Sequence, residues 1–360
     1  MAFTATRREW SELYTFLYLL HEGCVTLGNE QGEGTSRVLP IAYILRKEQN
    51  NFRKYYVLEK EIHVVGEDMD SHFIREDFGI ASSLILDALT KCHEDEVESP
   101  EGVEEFLNEL GIYSLSARAE DGTDVQISFY SVDAVPVGFR ILTKLGGMRP
   151  LLDGGRAANI KFEQTGVRFS SPAVNKINSL ETPHEVLDRI LMIERLGGQL
   201  KFNDAADKIF RSNLHLIDLH FPRVLGEMAR IFYMEDVNKV SELVERMKVQ
   251  NPLKIKDELI RKHGYYEYKM KEFLLAIAQG MRPAKLYNGV ESAIGGMLVM
   301  DSKGSILCYY KNERQTFANY LYNNTRFLKG DLQKDHYGYL ERENGLYYLR
   351  LNVKVGLVKK

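Results

Sequence analysis

The chain has 360 residues and a formal net charge of −4, a size and composition that suit a globular protein of one or two domains. Its three cysteines are widely spaced and odd in number, which argues against a disulfide framework or a zinc site and favours a reducing compartment. No apolar run reaches the roughly 20 residues that cross a bilayer, and the N-terminus lacks a signal-peptide core, so we predict a cytoplasmic protein. The net charge alone disfavours a nucleic-acid partner, although a local excess of positive charge can override the total.

The first predicted element is a helix over residues 8–22, because apolar side chains recur at helical spacing and Gly23 provides a C-terminal stop. Glu9 and Glu12 lie three residues apart on this helix and therefore share a face. They are either surface carboxylates or groups that reach a metal site. The Gly-rich segment 29–36 lacks the context of a phosphate-binding loop and is predicted to be a turn.

The central stretch, residues 121–153, is predicted to form two strands joined by a turn that contains Pro136. Asp124 begins the first strand, in which apolar and polar residues then alternate with the period of a half-buried strand. The second strand covers residues 137–145. Its alternation places one set of side chains on one face, Phe139, Ile141 and Thr143, and the other set on the opposite face, Arg140, Leu142 and Lys144.

A carboxylate and a lysine on neighbouring strands are the minimum equipment of a metal-dependent nuclease. The carboxylate of Asp124 would hold Mg²⁺, and Lys144 would position or activate the water that attacks a phosphodiester. Asp121 is the near competitor of Asp124. The same pair of residue types is also common at the edge of any sheet, so the pattern alone does not establish a nuclease.

Before the central stretch, residues 55–65 are predicted to be a strand. After it, the chain is predicted to be a strand over residues 157–162 and then helices up to Pro252, with a break in the helical pattern at Pro222. Tyr and basic residues become dense in the last third, with six Lys/Arg against two Asp/Glu between residues 303 and 334. Such a surface suits phosphate and base contacts, and a Tyr-rich β-meander with a basic face is the alternative. The candidate DNA-binding residues are Asn323, Asn324, Arg326, Lys329 and Lys334.

Four blocks in order give the chain a resemblance to the HpaII family of Type II restriction endonucleases. They are REWSELYTFLYLLHEG at 8–23, VGFRILTKLGGMRPLLD with AANIKFE at 137–163, the section 203–252 with NLHLID, and KMKEFLLAIAQGMRP followed by GGMLVMDSKGSILCYY and FANYLYNNTRF. The resemblance implies a PD-(D/E)xK nuclease core, Mg²⁺ dependence, double-stranded DNA as substrate and a cognate DNA methyltransferase. The namesake of the family reads CCGG, which makes that palindrome the expected site.

The chain departs from the family pattern at the catalytic lysine. Gly138, Phe139 and Ile141 match the family's second core strand, but Leu142 stands where the resemblance expects the lysine. Lys144 could supply the ammonium group about 7 Å further along the strand. Gln126 is another candidate, and an impaired centre is a third reading. The acidic member of the triplet is also missing, with Arg140 or Leu142 in its place, so Glu12 becomes the candidate for the second metal carboxylate and Glu9 its weaker alternative.

We therefore predict an α/β (α+β) fold with a PD-(D/E)xK nuclease-like core, a central mixed sheet flanked by helices, and helical and β-rich C-terminal additions. The expected divisions are a nuclease core over residues 1–170, a helical section over 171–260 and a basic DNA-contacting section over 261–360, in one compact unit. A palindromic site favours a homodimer on the DNA. Two other classes stay open, namely a site-specific DNA-binding protein with a decayed nuclease centre and an unrelated hydrolase with paired carboxylates.

Overall fold

In the computed structural model, the described residues are 4–49, 51–130, 135–146, 148–289 and 293–358. The helices are α1 (Arg7–Glu22), α2 (Arg75–Lys91), α3 (Val103–Glu109), α4 (Ser171–Asn178), α5 (Glu185–Arg195), α6 (Lys208–His215), α7 (Phe221–Glu235), α8 (Val240–Gln250), α9 (Asp257–Arg261), α10 (Tyr265–Ala278), α11 (Arg314–Asn324) and α12 (Leu332–Asp335). None of the helices in these ranges combines the length and apolarity that a membrane crossing requires.

The strands are β1 (Thr4–Thr6), β2 (Cys24–Gly28), β3 (Gly34–Glu48), β4 (Asn51–Val57), β5 (Glu61–Val65), β6 (Asp70–Ile74), β7 (Glu96–Glu98), β8 (Val125–Phe129), β9 (Val137–Thr143), β10 (Asn159–Thr165), β11 (Gln199–Ala205), β12 (Ile294–Met300), β13 (Ile306–Tyr310), β14 (Thr325–Leu328), β15 (Leu340–Glu343), β16 (Leu346–Asn352) and β17 (Lys354–Leu357). They form one large sheet, one of four strands, and two small pairs, β1-β7 and β14-β17.

The large sheet is mixed and has nine strands in the order β2-β13-β12-β9-β8-β3-β4-β5-β6. Because β2 also pairs with β3, the strands from β2 to β3 in this order close into a ring. In this ring β9 lies between β8, to which it is antiparallel, and β12, to which it is parallel. The predicted α/β class with a mixed sheet is therefore confirmed.

The two faces of β9 pack against different hydrophobic cores. Phe139 and Ile141 belong to the core that α1 and α2 form with the large sheet. Leu142 belongs to the second core, formed by the later helices and the four-stranded sheet β11-β10-β16-β15. Since side chains alternate along a strand, Arg140 projects from β9 on the same side as Leu142.

The first helix forms where its sequence pattern predicts. Thr6 and Glu9 make a capping box, in which the Glu9 carboxylate accepts a hydrogen bond from the Thr6 backbone N–H at 3.0 Å. Gly23 ends the helix in the left-handed conformation, with φ of 64°. The apolar stripe, which includes Trp10, Leu13 and Leu17, is fully buried.

The predicted pair of central strands is confirmed as β8 and β9, with Val125 opposite Phe139. Part of the predicted turn between them, 131–134, lies outside the described residues, as does the second glycine of the pair at 146–147. The pattern at residues 55–65 predicts one strand, whereas the structure has the end of β4, a turn at 58–60, and β5. Pro222 lies in the first turn of α7 and separates it from α6, as the break in the helical pattern predicts.

Candidate active site

The carboxylate of Asp124 is held by the backbone of β9. Asp124 directly precedes β8, and its backbone N–H donates to the Phe139 carbonyl at 2.9 Å. Its Oδ2 accepts a hydrogen bond from the Ile141 N–H at 2.8 Å. The other oxygen, Oδ1, lies 3.3 Å from Nη1 of Arg149. Because the strand pairing fixes both backbones, this buried carboxylate has a fixed position beside β9.

Glu12 of α1 reaches the same place. Its side chain is 3% exposed, and its Oε1 lies 2.7 Å from Nη2 of Arg149. Ser116 donates to Oε2 at 3.1 Å, and Nε of Arg8 lies 3.6 Å from Oε1. One guanidinium therefore joins the carboxylates of Glu12 and Asp124, which come from the first helix and from the central strand pair.

The environment of Glu12 disfavours its charged form. Burial and the nearby Asp124 raise its pKa from the usual 4.5 to about 7, and Arg149, Ser116 and Arg8 only partly oppose that shift. Two carboxylates are thus close enough to repel each other in a poorly solvated site. An arrangement of this kind marks a candidate functional site, because a cation that neutralises both groups would relieve the repulsion.

Arginines from several segments lie around Arg140, which is itself close to Asp124. Arg140 of β9 is 3% exposed, and its Nη2 donates a long hydrogen bond of 3.4 Å to the Pro150 carbonyl. Its Nη1 is buried and has no hydrogen-bond partner within the described part of the chain. Burial and then Arg282 lower the pKa of Arg140 to about 9; Asp124 opposes this shift, and Arg118 and Arg149 add to it. We name Arg118, Arg140, Arg149 and Arg282 the arginine cluster.

Two comparisons with known proteins show which family the chain resembles over nearly its whole length. A sequence profile of the HpaII restriction endonuclease matches residues 6–357. The Type II restriction enzyme HpaII of Haemophilus parainfluenzae is 30% identical over 358 residues, which is 98% of each chain. The chain belongs to the HpaII family of restriction endonucleases. This confirms the resemblance and the enzyme class predicted from the sequence, a Type II site-specific deoxyribonuclease. No solved structure matches the chain.

In this HpaII-family chain, the position where the resemblance expects a lysine is part of the hydrophobic core. Leu142 is 1% exposed and packs in the core that also contains Leu151 and Leu152. Lys144 is half-buried one residue beyond β9, where its backbone N–H donates to the Met300 carbonyl at 3.0 Å. Gln126 is half-buried on β8, opposite Gly138, and alternation puts it on the same face as Asp124. The catalytic roles of Lys144 and Gln126 stay predictions.

The weaker alternatives for the two carboxylates already have structural partners in the HpaII-family fold. Glu9 is occupied by the capping box with Thr6, and the hydrogen bond from the Thr6 side chain is the main cause that lowers its pKa. Asp121 accepts hydrogen bonds from the backbone N–H and the hydroxyl of Thr123, at 2.9 and 2.7 Å, and so shapes the turn before β8. Glu12 and Asp124 are therefore the two candidate carboxylates that converge on one group, the guanidinium of Arg149.

The candidate DNA-binding residues lie on the segment from the end of α11 to α12. Asn323 and Asn324 donate to the Glu30 carbonyl at 3.4 and 3.2 Å, and Asn324 also donates to the Tyr320 carbonyl at 2.9 Å. These amides therefore also hold the end of α11 against the turn before β3. Arg326 lies in β14, opposite Gly356 of β17, and is half-buried. Lys329 and Lys334 are exposed.

No ion pair or hydrogen bond between described residues links that segment to Glu12 or Asp124. The site residues that the sequence patterns miss are Arg149, Arg282, Arg118 and Ser116. All four lie in irregular segments where no periodicity predicts which way a side chain points. The sequence offers one signal for this group, because Arg140 is the one charged residue of β9.

Proposed function

We propose that the protein is a Mg²⁺-dependent Type II restriction endonuclease that hydrolyses phosphodiester bonds of double-stranded DNA at a short palindrome, CCGG. We further propose that the site is a PD-(D/E)xK-like centre built on β8, β9 and α1. One observation carries the proposal: the buried carboxylates of Glu12 and Asp124 converge on a single cationic group at the end of the central strand pair. Family membership supports the DNA substrate.

The donor set fits a divalent metal ion. Oδ1 of Asp124 and Oε1 of Glu12 already face one positive group, and the raised pKa of Glu12 reflects an unfavourable proximity of two carboxylates. Within the described residues, no group of three or more His, Cys, Asp or Glu side chains is arranged to hold a metal. Two carboxylates are still sufficient for Mg²⁺, which keeps several waters and takes further oxygens from substrate phosphates. Bound there, Mg²⁺ would polarise the scissile phosphate and lower the pKa of an attacking water.

The residues of the chain have separate roles in this proposal. Asp124 and Glu12 hold the metal together with a backbone carbonyl of β9. Lys144 orients the attacking water or neutralises the charge that develops on the phosphate, and Gln126 is the alternative for that role. Asn323, Asn324, Arg326, Lys329 and Lys334 contact bases or phosphates of the DNA.

The proposed assembly follows from the symmetry of the substrate. A palindrome presents the same sequence to two identical subunits, so a two-fold homodimer would place one centre on each strand. The enzyme would act in the cytoplasm alongside a cognate DNA methyltransferase that protects the host sites.

One observation favours a second function. Leu142 occupies the expected lysine position and is fully buried, so the strand itself supplies no ammonium group there. A chain without a replacement for that lysine would bind its DNA site and never cut it.

Digestion of unmethylated phage DNA with purified protein and Mg²⁺, followed by sequencing of the fragment ends, separates the two functions. Discrete fragments would establish cleavage and give the site and the stagger together, and ends at any palindrome other than CCGG would remove that assignment. No cleavage, together with a sharp gel shift on the same DNA, would establish the binding protein instead.

A further inference from the structure

Arg140 carries a buried charge without an adequate counter-ion. Its side chain is 3% exposed, Nη1 has no partner among the described residues, and its one hydrogen bond, to the Pro150 carbonyl, is 3.4 Å long. Asp124 is the nearby acid that favours the charged form, but its two oxygens already face the Ile141 N–H and Arg149. An unpaired buried charge destabilises a fold, and arrangements of this kind concentrate at functional sites.

The neighbours of Arg140 increase its excess of positive charge. Arg282, Arg118 and Arg149 all lie close enough to lower its pKa. Backbone carbonyls orient the guanidinium of Arg282. Its Nη1 donates to the carbonyl oxygens of Met281 at 2.8 Å, Ile277 at 3.2 Å and Leu151 at 3.3 Å. Carbonyl contacts fix the direction of a guanidinium without neutralising it.

The members of the cluster range from exposed to buried. Arg118 is exposed, Arg282 and Arg149 are half-buried, and Arg140 is buried. Asp153, which favours the charged form of Arg282, is exposed and lies 3.4 Å from Lys354. Several guanidinium groups around one place are suited to a phosphate, which they bind through paired hydrogen bonds.

We propose that the arginine cluster binds a backbone phosphate of the DNA substrate, with Arg140 as its innermost ligand, so that Arg140 brings positive charge to the strand where Leu142 replaces the expected lysine. The anion site rests on the geometry of the cluster. Its assignment to DNA rests on the proposed nuclease function, and the two are tested separately.

The anion site is tested by thermal unfolding in EDTA, with inorganic phosphate replacing chloride at constant ionic strength. Phosphate should raise the melting temperature of the wild type and of the exposed control Arg195→Met, and it should not raise that of Arg140→Met. In buffer without phosphate, Arg140→Met should melt above the wild type, because a buried unpaired charge is replaced by an apolar chain of similar length. A structural role for Arg140 would instead lower the melting temperature.

Equal phosphate shifts in all three proteins would mean adventitious binding and would overturn the proposal. If Arg140→Met does not fold, Arg118→Ala takes its place, because this side chain is exposed and its removal leaves the core intact. Arg118→Ala should then reduce the phosphate shift, and an unchanged shift would count against the cluster.

The DNA assignment is tested by anisotropy in Ca²⁺ with a short duplex centred on the sequence that the fragment ends define. Single methylphosphonates remove the charge of one phosphate at a time. A methylphosphonate at one position should weaken DNA binding by the wild type about tenfold. The same modification should not weaken binding by Arg140→Met, because this variant has already lost the contact to that phosphate. Identical methylphosphonate profiles for the two proteins would overturn the assignment. Absence of discrete fragments would overturn the nuclease function and with it the DNA assignment, whereas the phosphate result would still decide the anion site.

Discussion

The guanidinium of Arg149 lies 2.7 Å from the carboxylate of Glu12, in a site where both side chains are largely buried. The same guanidinium lies 3.3 Å from Asp124, so its single positive charge partly offsets the charge of both carboxylates at the place proposed for a metal ion. Arg149 is therefore both a counter-ion of the metal-free protein and a competitor of the proposed Mg²⁺. This relationship makes the response of the protein to a metal ion measurable without any cleavage.

Replacing Arg149 by Met should lower stability in EDTA and strengthen the response to Ca²⁺. Removing one partner of a buried ion pair destabilises a protein by about 3–5 kcal/mol, since the remaining charges lose their compensation. Ca²⁺ should restore more stability in Arg149→Met than in the wild type, because the ion no longer competes with a guanidinium. Melting curves against Ca²⁺ concentration check this, with the exposed Arg246→Met as a control. Equal Ca²⁺ responses would show that the ion does not bind between Glu12 and Asp124.

The raised pKa of Glu12 predicts a pH dependence of stability in EDTA. With a pKa of about 7 in the folded protein and 4.5 when solvated, Glu12 binds more protons in the folded state between these values. Its contribution to the free energy of unfolding therefore falls as pH rises from about 4.5 to about 7, by up to about 3 kcal/mol. Glu12→Gln removes the effect, so its stability relative to the wild type should rise with pH over this window.

Urea unfolding at a series of pH values measures the difference. Glu9→Gln is a matched control on the same helix, because the pKa of Glu9 is lowered and its contribution has the opposite sign. A stability difference between Glu12→Gln and the wild type that does not change with pH would show that Glu12 is ionised normally.

Replacing Asp124 by Asn should abolish cleavage and preserve DNA binding in Ca²⁺. Asn keeps an oxygen that can accept from the Ile141 N–H, now 2.8 Å from Asp124 Oδ2, so the strand pair should stay intact. Loss of a metal ligand removes several kcal/mol of transition-state stabilisation, which corresponds to at least about a thousandfold in rate. Plasmid cleavage and gel shifts measure both effects. Asp121→Asn is the control, and equal losses in the two variants would contradict the assignment.

Both members of the carboxylate pair can be predicted, because Glu12 lies on a helix and Asp124 directly precedes a strand. Helical spacing predicts the position of Glu12 on α1, the strand pattern predicts that of Asp124, and the missing acid of the family's triplet points to Glu12 as the second carboxylate. Arg149 was not predictable, since it follows β9 in an irregular segment whose path depends on tertiary contacts. One such contact is the hydrogen bond of 2.7 Å from Arg7 Nε to the Leu145 carbonyl. The closure of the large sheet by β2 and β13 depends on equally distant pairings, which no local pattern encodes.

Replacing Lys144 by Met should slow the chemical step about a hundredfold or more and leave DNA affinity unchanged. Met retains the length of the side chain, so a loss would be due to the ammonium group and not to packing. Single-turnover cleavage with saturating enzyme isolates this step from binding and product release. Gln126→Met is measured in parallel. A normal rate for Lys144→Met beside a slow Gln126→Met would transfer the role to Gln126, and normal rates for both would remove both assignments.

Replacing Lys329 or Lys334 by Ala should weaken DNA binding by a similar factor for specific and random duplexes. Both side chains are exposed on the segment around α12, where an ammonium group can contact a phosphate without affecting the core. Each contact that is lost should reduce the slope of log affinity against log salt concentration by about 1. Fluorescence anisotropy over a range of NaCl concentrations measures the slope. Lys91→Ala on α2, whose side chain is also exposed, is the control. Slopes for Lys329→Ala and Lys334→Ala that match the wild type would place the DNA away from the α12 segment and leave the arginine cluster as the principal phosphate contact.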